Sequence, residues 1–126
     1  MRALTKIMIV ALCCIAFCKC TRAQLRAQND CTNQVKKDME ATRTQKPDVY
    51  ATIRHYTFEW SRMHQACVMI IQYRTKKDGA SMVQILATNA ATMQPMEGTK
   101  DIFLVPEGNE KEIDDAENFL FEKYSR

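Results

Sequence analysis

Between Ala66 and Tyr73 apolar side chains fall on both sides of a two-residue alternation, with Val68, Ile70 and Gln72 on one face and Cys67, Met69, Ile71 and Tyr73 on the other. Apolar character on both faces predicts a central strand, because only a strand covered on each side hides both sets from water. Arg74 to Asp78 with Gly79 reads as a polar turn, and Ser81 to Ala87 as the returning strand of a hairpin. Upstream, residues 25–43 contain no Gly or Pro and are rich in Gln, Ala, Lys, Arg, Met and Glu. Leu25, Cys31, Val35 and Met39 can share much of one helical stripe there, so an N-terminal helix with Cys31 facing inward is predicted. Pro47 ends it, since a proline disfavours helical geometry at the residue before it.

The stretch from Val49 to Trp60 fits two periods. Ile53, Tyr56, Trp60 and Met63 match a helical stripe, whereas Tyr56, Phe58 and Trp60 match one face of a strand. Three aromatics with Val, Ile and Thr favour the strand. Asn89 to Gly98 reads as a loop, Ile102 to Val105 as a short strand, and Pro106-Glu107-Gly108-Asn109 as a reversal. A second short strand is predicted at Glu110 to Ile113. Asp114, with Glu117 three residues on, then caps a helix over residues 115–125 whose stripe holds Phe119, Leu120 and Tyr124. The expected fold is α+β: an N-terminal helix, an antiparallel sheet of four or five strands carrying a helix on one face, and a short C-terminal helix.

The first 23 residues follow a different logic. Arg2 and Lys6 precede an uncharged apolar run from Ile7 to Phe17, and Thr21-Arg22-Ala23 offers small residues where a signal peptidase reads. This predicts a signal peptide over residues 1–23 and a single small domain over residues 24–126. A spanning helix needs about 20 apolar residues, so no membrane span is expected after processing. Cys13, Cys14, Cys18 and Cys20 all lie in this segment, but none follows a small residue as a lipid-attachment motif requires. The expected location is secreted or periplasmic.

Processing changes the charge balance. The whole chain carries 18 basic and 15 acidic residues, and the basic surplus lies in the leader, which holds Arg2, Lys6, Lys19 and Arg22 and no acid. Without a concentrated basic surface a nucleic-acid partner is not expected. Residues 101–126 hold eight acidic and three basic side chains, a solvated acidic region.

Two cysteines remain beyond the leader, Cys31 and Cys67, and in an oxidising compartment two thiols of a small domain pair. A reactive Cys67 helped by His64 is the sharper alternative, although residues three apart on a strand face opposite sides. A metal site built from Cys31, Cys67, His55 and His64 lacks the close ligand pairs of zinc motifs, so neither metal nor cofactor is expected. The scattered methionines, Met63, Met69, Met82, Met93 and Met96, read as core fillers rather than copper ligands.

The segment HYTFEWSRMHQACVMIIQYR, after a helix with one Cys and before the late FLVPEGNEKEIDDAENFLFEKY, resembles a set of small exported bacterial proteins of unknown function. Those show a helix Cys, a His-Tyr-Asn segment and a second Cys opening an apolar strand. Here His55-Tyr56 takes the His-Tyr place, Thr57 stands where the Asn would, and Cys67 opens Val68-Met69-Ile70-Ile71. The resemblance implies export, the disulfide and the fold, and brings no activity with it.

The candidate functional residues are His55, Tyr56, Glu59 and Trp60. On a strand His55, Thr57 and Glu59 share a face, and a His beside a carboxylate is the minimum for proton transfer. No nucleophile elbow or phosphate loop accompanies them. A structural hydrogen bond from His55, tying strand to helix, is the plainer role. Trp60, Tyr56 and Phe58 fit a core or a ligand groove. The leading function is a non-catalytic exported binding module for a protein or an envelope component. A secreted inhibitor or effector with cystatin-like architecture is the alternative, though the cystatin Gln-x-Val-x-Gly loop is missing and Val83-Gln84-Ile85-Leu86 is the nearest run. A small hydrolase or redox enzyme using His55, Glu59, His64 or Cys67 comes third.

Overall fold

The computed structural model describes the backbone of residues 2–98 and 100–125, and side chains from Arg22 onward within that range. The apolar run and the four cysteines of the signal-segment reading therefore lie outside the side chains described. Helix α1 covers Arg2–Gln45 and α2 covers Pro47–Thr52; β1 (Ile53–Ser61), β2 (Ala66–Lys77), β3 (Ala80–Asn89), β4 (Gln94–Pro95) and β5 (Phe103–Pro106) follow, and α3 (Glu110–Tyr124) closes the chain. The fold is α+β, as the alternating pattern implies.

All strand pairs are antiparallel. Strand order runs β1-β2-β3, and β4 and β5 lie along successive parts of the far side of β3. The β2–β3 hairpin closes on Asp78-Gly79 alone, both with positive φ (53° and 81°), and both strands run closer to the turn than the polar residues suggest. A two-residue turn of that kind continues the strand twist, so Arg74 to Lys77 stay in the ladder.

The sheet is covered on both faces, as the two-faced apolar alternation of β2 implies, and so carries a second helix beyond the one expected on a single face. On one face Cys31, Val35 and Met39 of α1 pack on Cys67, Met69 and Ile71, with Phe58, Trp60 and Tyr73 at the margin. On the other, Ile113, Ala116, Leu120 and Tyr124 of α3 pack on Val68, Ile70, Val83, Ile85 and Val105. The two faces of β2 thus serve two separate cores. Leu25, placed on the α1 stripe by its spacing, is exposed instead, as is Phe119 on α3.

Two boundaries move for local reasons. Pro47 does end α1, yet it also occupies the first turn of α2, where its fixed φ and missing N–H suit a helix start; residues 49–52 are therefore helical, not strand. The strand expected at Glu110 to Ile113 is the first turn of α3. Asn109, not Asp114, is its cap, with Oδ1 accepting from the Glu112 N–H at 3.3 Å and Glu110 and Glu112 beside the positive end of the helix. Starting there brings Ile113 onto the buried stripe.

Candidate functional site

The two cysteines are joined, Cys31 on α1 to Cys67 on β2, with Cα atoms 5.2 Å apart. Both are nearly fully buried. The bond clips the N-terminal helix to the centre of the sheet and leaves Cys67 no free thiol for catalysis or metal binding. A hollow of about 320 Å³ lies against it, bordered by Trp60, Asp30, Gln34 and Asn89.

Strand β1 carries the sequence-derived candidates, and its register fixes their faces. His55, Thr57 and Glu59 stand opposite Gln72, Ile70 and Val68, on the α3 side; Tyr56, Phe58 and Trp60 stand opposite Ile71, Met69 and Cys67, on the α1 side. A bulge between Ile53 and His55 places the extra residue Arg54 at the strand's start. Its guanidinium donates to Gln72 Oε1 at 2.7 Å and pairs with Glu110 at the start of α3. Buried Gln72 passes the connection on, donating from Nε2 to Glu117 Oε2. The other oxygen of Glu117 lies 3.7 Å from His55 Nε2 and 3.4 Å from the Thr57 hydroxyl. His55 thus faces helix α3, at a distance beyond that of a hydrogen bond.

His55 and Glu59 share a face without meeting. Four residues along a strand is about 13 Å, too far for a proton relay. The Glu59 side chain has no hydrogen bond or ion pair with any other described residue. His64 lies in the β1–β2 turn, its Nδ1 3.0 Å from the buried Ser61 hydroxyl and its backbone N–H donating to that same oxygen at 3.1 Å. The Ser61 hydroxyl shapes the turn from a position closed to solvent. The structure therefore brings His55, Tyr56, Glu59 and Trp60 to one strand, while His64 and Cys67 are engaged elsewhere.

What β1 offers is its edge. The Trp60 N–H donates to Gln28 Oε1 of α1 at 3.0 Å, away from β2. In an antiparallel ladder successive residues bond to alternate sides, so Tyr56 and Phe58 also direct their N–H and C=O groups outward, where no described residue meets them. Their rings stack on each other at a centroid distance of 6.5 Å, and Tyr56 is 36% exposed. A hollow of about 290 Å³ bounded by Tyr50, Arg54, His55 and Tyr56 opens at the start of this edge.

One charged cluster gave no signal in the sequence. Lys123 Nζ lies 2.6 Å from Asp101 Oδ2 and 3.7 Å from Glu97, and the buried Tyr124 hydroxyl donates to the same Asp101 oxygen. The Lys123 and Tyr124 hydrogen bonds hold the Asp101 carboxyl below the usual range, whereas burial, then the bond to Asp101, pushes the Tyr124 phenol up to about 12. Asp101 is easier to ionise in the folded chain, so its contribution is present above the ordinary carboxylate pKa of about 4 and vanishes as pH falls through the lowered value. Urea unfolding across acid pH is expected to show this loss, and D101N to flatten it. An unchanged acid limb in D101N contradicts the cluster's role. Two partners 22 and 23 residues away leave no local pattern to read.

Comparison with protein-family models, with curated proteins and with solved structures finds no match. Among the described residues no helix is long and apolar enough to cross a membrane.

Proposed function

We propose that the chain is an exported, non-catalytic binding module that takes up an extended protein segment along β1. The observation carrying this reading is the row of outward N–H and C=O groups at Tyr56 and Phe58, open beside a half-exposed aromatic pair. A segment laid there gains backbone hydrogen bonds as an added strand, and Tyr56, Phe58, His55 and Glu59 supply side-chain selectivity above and below it. Export is supported by the leader pattern and by the disulfide, since such bonds persist outside the reducing cytosol.

Proline tests this cleanly. At Tyr56 the N–H points away from β2, so Y56P removes an outward donor without breaking the sheet ladder, a position where edge strands accept proline. In extract from the host's envelope or medium, the natural chain is expected to sediment above monomer mass and Y56P at monomer mass, with closely similar far-UV spectra. A natural chain running as a monomer in that extract contradicts the reading.

A further inference from the structure

Glu59 is a carboxylate in search of a cation, and the open edge beside it is self-complementary. We propose that the segment received along β1 is β1 of a second copy of this chain, the two strands pairing antiparallel about a two-fold axis at Thr57. This rests on the binding-edge reading above and names its occupant.

The groups that face outward narrow the register, and charge selects it. Tyr56 and Phe58 direct their backbone groups to the open side, which allows a two-fold axis at Tyr56, Thr57 or Phe58; only the axis at Thr57 sets His55 opposite Glu59, and it pairs Tyr56 of one copy with Phe58 of the other, exchanging N–H···O bonds in both directions. That choice sets every other pair. Thr57 meets Thr57 on the axis. On the α3 face each His55 stands opposite Glu59 of the second copy, so the imidazole can donate to the carboxylate that has no partner among the described residues of its own copy. The α1 face sets Tyr56 opposite Phe58, an aromatic cross-strand pair made twice.

The ends of the strand agree with this register. Arg54 opposes Trp60, so the bulge that ends regular pairing on one copy meets the N–H already taken by Gln28 on the other. Each irregularity falls where the other has no bond to offer, and the new ladder is confined to Tyr56 and Phe58. Helix α3 packs chiefly over β2, β3 and β5 and reaches β1 only through the side chains of Glu110 and Glu117 among the contacts described. An isologous contact of this kind closes at two copies and does not propagate from the β1 edges.

Purified exported chain, with its disulfide intact, is the material for the test. Sedimentation is expected to give twice the monomer mass. T57C should yield a covalent dimer on a non-reducing gel, because facing residues in a non-hydrogen-bonded pair stand about 4.5 Å apart at Cα, within disulfide reach. E59C, displaced from its own copy by about 13 Å, should not. H55E sets like charges opposite each other twice and should weaken the dimer roughly tenfold, and H55E/E59K should restore it. A purified chain that is monomeric, or E59C linking as readily as T57C, overturns the proposal. If the purified chain is monomeric yet still sediments as a complex in host extract, the binding edge stands and its occupant is another protein; monomers in both overturn both readings.

Discussion

Removing the Cys31–Cys67 bond with C31A/C67A is expected to lower the unfolding free energy by about 4 kcal/mol, the loop-closure entropy of a cross-link of this length. The sequence separation is 36 residues, and the closed loop contains most of α1's packed stripe, α2, β1 and the start of β2. Opening it restores the freedom of that loop to the unfolded chain and also removes two buried sulfurs from the α1 face. At roughly 1 to 3 kcal/mol per molar urea, the midpoint should fall by about 1.3 to 4 M. Urea titration of the oxidised chain and of the double variant measures it. A midpoint unchanged between them contradicts the staple's role.

The second large effect belongs to the opposite face. Leu120 is fully buried between α3 and the sheet, with Ile113, Ala116 and Tyr124 on the same stripe. L120A should cost about 2 to 5 kcal/mol, from lost burial and from the cavity left among side chains that relax only in part. Phe121 is its neighbour in sequence but 40% exposed, so F121A should cost well under half as much. Thermal unfolding separates them, since each kcal/mol moves the midpoint of a domain this size by about 4 to 8 °C. Equal losses in the two variants would show that α3 does not pack through the Leu120 stripe.

The parts of the fold legible in the sequence are those where one local signal decides. The two-faced apolar alternation of β2 marks it as a central strand, and the facing sets it predicts match the two cores. The Cys pair reads correctly because only two cysteines lie beyond residue 23. Assigning faces to β1 also succeeds, with Tyr56, Phe58 and Trp60 on one side and His55, Thr57 and Glu59 on the other. Where the reading failed, two signals competed. Pro47 both breaks one helix and starts another, and Asp114 and Asn109 are both good caps, so only packing of Ile113 against the sheet selects the earlier start. The earlier start adds Ile113 to the packed stripe of Ala116, Leu120 and Tyr124.

The candidate site was half visible. Its residue types stood out in a short polar-aromatic stretch, but the sequence cannot show which backbone groups face outward, since that depends on how β1 registers against β2. Glu117, read as a capping residue, turns out to face the sheet and meet Gln72, Thr57 and His55, contacts 45, 60 and 62 positions away in sequence that no local motif encodes.

Everything proposed for this chain requires that it leaves the cytosol and is stapled there before it meets its partner. Mass spectrometry of the protein as its host releases it, digested without reductant, tests this most directly. The expected result is a chain starting at Gln24 with a peptide containing Cys31 joined to one containing Cys67. A chain that keeps Met1 and yields both peptides as free thiols contradicts it.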